Sequence, residues 1–184
     1  MLLHGWANGR GRAGTVRRVN EPRVRDASAA DLPAVAAIYT HYVLNTTTTF
    51  NTQVRTPRDW TARFEAEIAD GPYHLLVAEV DGIVAGYAET QRFRPKPAYD
   101  RSLELSIYVA PDTQSRGTGG ALLAALFDRL ADTDFHRLYS IIALPNDASE
   151  RFHEKWGFEH RGTLTEAGHK FGRYLDVAFY ERVL

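Results

Sequence analysis

The sequence predicts an α/β fold: a mixed, mostly antiparallel central sheet with helices on both faces. Three observations carry this. Runs that alternate apolar and polar residues mark strands, and several follow one another across short polar turns. Apolar stripes at helical spacing fall between other strands, as crossover helices do. The resulting order, β-α-α-β-β-β-α-β-α-β-β, calls for antiparallel pairs and crossovers in one sheet.

Val24 opens a short strand. Ser28-Ala29-Ala30-Asp31 has the capping-box pattern of a helix start, and Leu32, Val35, Ala36, Ile38, Tyr39, Tyr42 and Val43 form an apolar stripe to about Asn45. Thr46 to Thr49 are β-branched and polar, so with Phe50 they leave the helix as an irregular loop. Thr56-Pro57 gives an N-cap and a first-turn proline to a second helix, which passes Trp60, Phe64 and Ile68 to end near Asp70. Residues 73–80 and 83–93 form a hairpin across Asp81-Gly82. Pro95 and Pro97 make residues 94–100 a loop, since each removes a ladder donor.

Leu103, Leu105, Ile107 and Val109 then alternate with Glu104, Ser106 and Tyr108 as a strand. After Pro111 comes a glycine-rich loop, Gln114-Ser115-Arg116-Gly117-Thr118-Gly119-Gly120. A helix follows through Leu122, Leu123, Leu126, Phe127 and Leu130 to about Asp132. Residues 136–144 form the next strand. Residues 148–156 form a short helix, with Gly157 just past its end. Residues 158–164 and 174–184 are the last strand pair, joined by a loop containing Gly168, His169, Lys170, Gly172 and Arg173.

Composition narrows the function. At 184 residues and 44% hydrophobic content, the chain suits one core; residues 22–184 are expected to form a single domain and residues 1–21 a flexible N-terminal extension. A net charge of −1 gives no electrostatic case for nucleic acid or an anionic membrane. No apolar run nears the ~20 residues of a spanning helix, and no apolar leader precedes the domain, so a cytoplasmic protein is expected. There is no cysteine, which excludes disulfides, a thiolate–metal site and a cysteine acyl-enzyme; no metal is expected.

A glycine-rich turn opening a helix offers several backbone N–H groups at the positive end of the helix dipole, where a phosphate can rest. The loop lacks the lysine of a Walker A sequence, and its glycine spacing is not that of a dinucleotide fingerprint. Read alone, it is either a phosphate cradle or a turn that binds nothing. It does match Gln/Arg-x-x-Gly-x-Gly/Ala at Gln114, Gly117 and Gly119, and Asn146-x-x-Ser149-x-x-x-His153-x-x-x-Gly157-Phe158 provides a second motif. Together these resemble the acetyl-CoA loop and the C-terminal motif of the GNAT superfamily of N-acetyltransferases. Within it the chain is most similar to the phosphinothricin and methionine-sulfoximine acetyltransferases. That likeness is carried by Ile38 to Val43, the threonine run ending in Phe50, Leu144 to Asp147, Arg151 to Glu154, and Gly168 to Gly172.

The resemblance implies an N-acetyltransferase domain over residues 22–184 with acetyl-CoA as co-substrate. Arg116, Gly117, Thr118, Gly119 and Gly120 would hold its pyrophosphate. The backbone of Tyr108 and Val109 would pair with the pantetheine arm, with contacts from Asn146 and Ser149. An aliphatic amine is protonated near neutral pH, so a base must take its proton. Glu104, four residues before Tyr108, occupies the position of the family's catalytic glutamate; from alternation alone it could equally be a solvated strand residue. His153 stands where the superfamily often has a tyrosine acid, and would either protonate the departing thiolate or orient the amine or Glu104. Arg94, Lys96 and Tyr99 match the branch's cationic substrate loop, and Phe50 would wall the pocket. The expected partners are a small amine substrate and, by family, a second copy in a homodimer. Two rivals stand beside this: transfer to a polyamine, aminoglycoside or peptide N-terminus, and a non-catalytic acetyl-CoA sensor.

Overall fold

A computed structural model describes residues 21–113 and 117–184. The expected N-terminal extension, apart from Glu21, and the candidate residues Gln114 and Arg116 lie outside the described residues. One seven-stranded sheet runs from Arg23 to Val183: β1 (Arg23–Asp26), β2 (Leu75–Val80), β3 (Ile83–Arg92), β4 (Ser102–Val109), β5 (Arg137–Ala143), β6 (Glu159–Lys170) and β7 (Arg173–Val183), in the order β1-β2-β3-β4-β5-β7-β6. Every neighbouring pair is antiparallel except β4–β5. Among the described residues four α-helices complete the order predicted: α1 (Leu32–Asn45), α2 (Pro57–Arg63), α3 (Thr118–Leu130) and α4 (Asp147–Lys155).

Strand alternation places a core on each face of the sheet. On one face Leu76, Ala78, Ala88, Leu103, Leu105 and Leu138 meet Leu122, Leu123, Leu126 and Leu130 of α3, with Phe152 and Trp156 of α4 packed beside them. On the other, Leu75, Val77, Tyr87 and Tyr108 meet Leu32, Val35, Ile38, Tyr39 and Val43 of α1 and Trp60 of α2. Among the described residues no helix is long and apolar enough to cross a membrane.

Local chemistry explains most boundaries. Asp81 and Gly82 both take positive φ (55° and 77°), the two-residue turn that matches strand twist. Thr56 caps α2, accepting from the Asp59 amide (3.2 Å) while its own hydroxyl donates to the Asp59 carboxylate (2.8 Å). The second helix does reach Ala69, but beyond Arg63 it continues as a π-helix over Phe64–Ala69.

The end of the chain differs from expectation. Gly168, His169 and Lys170 belong to β6 and pair with Leu175, Tyr174 and Arg173; they are not a loop. The reversal is confined to Phe171-Gly172, both at positive φ (51° and 74°). The polar, glycine-rich composition that reads as a loop is instead absorbed by an irregularity between Leu164 and Gly168, where Glu166 also takes positive φ.

Candidate active site

The site is built where β4 parts from β5. Their parallel ladder covers only Ser102–Leu105 against Arg137–Ser140, while β4 stays paired with β3 as far as Val109 and β5 stays with β7 through Ala143. A gap therefore opens beyond Leu105 and Ser140. The Ala110 amide donates to the Ala85 carbonyl (2.8 Å), which fixes the phase of the β3–β4 ladder. Tyr108, two residues earlier and opposite Tyr87, turns its backbone groups toward β3; those of Ile107 and Val109 turn toward the gap. The Val109 carbonyl accepts a hydrogen bond from the Tyr42 hydroxyl (2.6 Å).

A cleft of about 500 Å³ runs along this edge, lined by Tyr42, Ile107, Val109, Gly117 to Gly120, Asn146, Ser149, Phe152 and His153. Gly117, at φ 77°, is the N-cap of α3, so the amides of the helix's first turn open onto the cleft. Thr118 is buried, and its hydroxyl has no hydrogen-bond partner among the described residues. Asn146 caps α4, its side-chain oxygen accepting from the Ser149 amide (3.2 Å). A strand edge whose Ile107 groups and Val109 amide turn to the gap, a glycine-rich helix start and a hydroxyl without a partner among the described residues together suit an extended ligand that ends in phosphate.

A second cavity, about 280 Å³, adjoins the gap on the other side of β4. Ser106, Tyr108, Ile141 and Ala143 line both the cavity and the gap. Glu104 lines the cavity, and burial raises its pKa above the ordinary carboxylate value. A hydrogen bond from the Gln91 amide to Oε1 (3.0 Å) and the Arg94 guanidinium 3.9 Å from Oε2 oppose that shift. Glu89, also on the wall, is buried and ion-paired with Arg63. Arg55 completes the charged lining.

The threonine loop closes the cavity and is fastened from two directions. Lys170, buried in β6, donates from Nζ to the Thr49 carbonyl (2.7 Å). Thr49 Oγ1 lies 3.1 Å from the Tyr39 hydroxyl, which also accepts from the Asn51 side-chain amide. These bonds hold Phe50 over Gly168, where it lines the cavity as the sequence suggested.

His153 lies on the cleft side, buried among the rings of Phe152, Phe158 and Tyr180. Its Nδ1 is 2.8 Å from the Ser149 carbonyl, an acceptor only, so Nδ1 carries the proton and neutral His153 presents a lone pair at Nε2. Burial lowers its pKa, and the Ser149 carbonyl raises it by less. The ring is therefore neutral at pH 7.

The structure thus brings Glu104, Phe50, Val109, Gly117 to Gly120, Asn146, Ser149 and His153 to one continuous gap and its two flanking hollows. Arg94 reaches Glu104. Lys96 and Tyr99 are exposed on a short 3₁₀ turn outside both hollows, Tyr99 edge-on to Phe93. Sequence reasoning missed Gln91, Arg55 and Lys170 as parts of the site, and Tyr42 as the Val109 partner. Gln91 lies directly opposite Glu104 in the β3–β4 register, a pairing that the long 93–101 connection leaves unmarked in the sequence.

Comparison with known proteins decides the family. Residues 24–179 match the acetyltransferase (GNAT) domain. The chain belongs to the GNAT acetyltransferase family. As a GNAT acetyltransferase it is 46% identical over 166 residues to the phosphinothricin N-acetyltransferase of Streptomyces coelicolor, a match covering 89% of this chain and 97% of that protein. It is 37% identical over 161 residues to the L-methionine sulfoximine/L-methionine sulfone acetyltransferase of Pseudomonas paraeruginosa, covering 86% and 92%. Its fold superposes on a phosphinothricin acetyltransferase from Sinorhizobium meliloti, solved in complex with acetyl-CoA, with a TM-score of 0.85 at 35% identity, over 90% of this chain and 89% of that one. The GNAT fold class expected from the motifs is therefore the fold of this enzyme.

Proposed function

We propose that this enzyme transfers the acetyl group of acetyl-CoA to the amine of a small amino acid, of phosphinothricin or methionine-sulfoximine type, by direct attack within a ternary complex. The observation that carries the reading is the place of Glu104: a half-buried carboxylate on the wall of a small cavity that opens into the parted strands, where desolvation favours a raised pKa. The names of the relatives and of the acetyl-CoA-bound neighbour support the substrate class and the co-substrate.

Acetyl-CoA would supply an activated acyl group. The amides of the first turn of α3 and the Thr118 hydroxyl would receive its phosphates, and the backbone of Ile107 and Val109 its pantetheine arm. Asn146 keeps the start of α4 in place beside it. Glu104 takes the proton from the bound ammonium. A base works best when its pKa approaches the working pH, and burial moves Glu104 in that direction. Gln91 and Arg94 hold its carboxylate in orientation. We assign His153 an accepting or orienting role: its one ring proton is held by the Ser149 carbonyl, which leaves Nε2 to accept. Phe50 and the loop fastened by Lys170 limit the cavity to a small acceptor. The single 22–184 domain, the cytoplasmic setting and the homodimer expected from the sequence belong to this proposal; sedimentation equilibrium tests the last.

The test is a thiol-release assay with acetyl-CoA and a panel of phosphinothricin, methionine sulfoximine, methionine sulfone, plain amino acids, spermidine and an aminoglycoside. Turnover confined to the amino-acid acceptors is the expected result. Turnover confined to the polycations would overturn the substrate class. Acetyl-CoA binding, read by a rise in Tm, with no turnover of any amine would favour a sensor.

A further inference from the structure

We propose that Arg55 is the specificity residue of the acceptor cavity, binding an oxyanion of the incoming molecule, a carboxylate or a phosphinate. This rests on the amino-acid acetyltransferase reading above and names the group within that site that selects an anionic acceptor.

Arg55 sits in an irregular polar stretch just before the α2 cap; Asp59 is the acid within its electrostatic reach, and among the described residues no carboxylate forms an ion pair with it. Its Cζ lies 5.1 Å from the centroid of Tyr39 and 5.0 Å from that of Trp60, two rings nearly perpendicular to each other and 5.6 Å apart. Both rings belong to the core beneath α1 and α2. Stacking on them holds a guanidinium rigidly and leaves its N–H edge to other groups. Among the described residues, Arg55 Nη1 is buried and has no hydrogen-bond partner. A buried charged donor without an acceptor is costly, and a ligand that supplies the acceptor removes the cost.

The neighbouring carboxylates are already engaged. Glu89 is paired with Arg63. Glu104 receives the Gln91 amide and faces Arg94. Asp59 caps α2 through Thr56. Lys170 is committed to the Thr49 carbonyl, and Lys96 is on the surface. Arg55 is therefore the cation of the cavity lining with donor capacity to spare, and it shares that lining with the base expected to take the ammonium's proton. An amino acid offers the two complementary groups, an ammonium and an oxyanion. A planar guanidinium edge suits a carboxylate or phosphinate in a two-point contact.

The experiment compares wild type, Arg55→Gln and Arg55→Lys by steady-state kinetics with L-methionine sulfone and L-phosphinothricin. L-Methionine sulfone carries a carboxylate as its one anion; L-phosphinothricin carries a carboxylate and a phosphinate. Arg55→Gln is expected to raise the acceptor KM on the order of 10–100-fold, with kcat and the acetyl-CoA KM little changed. Arg55→Lys, which keeps the charge but not the fork, should fall between. A rise for both acceptors assigns the carboxylate; a rise for phosphinothricin alone assigns the phosphinate. Unchanged acceptor KM values in both variants would overturn the proposal. So would a parallel rise in acetyl-CoA KM with a lower Tm, which marks Arg55 as a packing residue only. If the wild type acetylates neither acceptor, the parent reading fails at once, before any variant is made, and this inference falls with it.

Discussion

Gly168→Ala reports on the acceptor cavity from a position behind its Phe50 wall. A Cβ built at Gly168 would lie 2.1 Å from Cε2 and 2.3 Å from Cζ of Phe50. Ordinary contact begins near 3.4 Å, so the ring must move by roughly 1.3 Å. Phe50 is 39% exposed, so it can swing outward without disturbing the core. The stability cost should thus lie at the low end of overpacking, about 1 kcal/mol, a fall in Tm of about 2–4 °C for a chain of this size. The functional cost is larger, because Phe50 is a wall of the cavity and a misplacement of about 1 Å can cost up to ~100-fold in rate. Thiol-release kinetics should show acceptor kcat/KM down about 10–100-fold, mostly through KM, with the acetyl-CoA KM unchanged. In a Phe50→Ala background the same change should add almost nothing, since the clash is gone. An unchanged acceptor KM in Gly168→Ala, or a full effect persisting in the Phe50→Ala background, would refute this account of the wall.

Two further predictions follow from polar groups of the site. Thr118→Val removes a buried hydroxyl that has no partner among the described residues, so the free enzyme should keep or slightly raise its Tm, while calorimetry should show weaker acetyl-CoA binding. Glu104→Gln should raise Tm at pH 7. The raised pKa means that ionised Glu104 costs the folded state stability above its folded pKa, a cost that vanishes below the ordinary value of 4.5. The gain in Tm should therefore close as pH falls toward 4.5, and a gain that grows on acidification would reverse the assigned sign.

Much of this site was legible in the sequence because its parts carry strong local signals. The alternation through Leu103 to Val109 placed Glu104 on the correct strand, and the glycine-rich run marked the start of α3. The Asp81-Gly82 turn set the β2–β3 hairpin. What escaped reading was long-range. Arg55 lies in a stretch with no periodicity, and its role depends on where Tyr39 and Trp60 meet in the core. Lys170 sits among glycines and a histidine and reads as loop, yet its ammonium is buried against the Thr49 carbonyl, 121 residues away in sequence. Conversely, the cations at Arg94 and Lys96 stand close in sequence but part in space. Arg94 turns to Glu104, while Lys96 stays on the surface, because the 3₁₀ turn beginning at Pro97 carries the chain away from the cavity.

The central claim is that Glu104 takes the proton of a bound ammonium, and the most direct measurement is kcat/KM for L-methionine sulfone against pH in wild type and Glu104→Gln. With Glu104 as base, the wild type uses the abundant ammonium form and should give a plateau between the Glu104 and amine pKa values. Glu104→Gln must wait for free amine. Its kcat/KM should be about 10²–10⁴-fold lower near pH 7 and climb tenfold per pH unit, narrowing the gap at alkaline pH, with acetyl-CoA binding intact. A variant that keeps wild-type kcat/KM at pH 7, or that loses activity by one constant factor at every pH, would contradict the account.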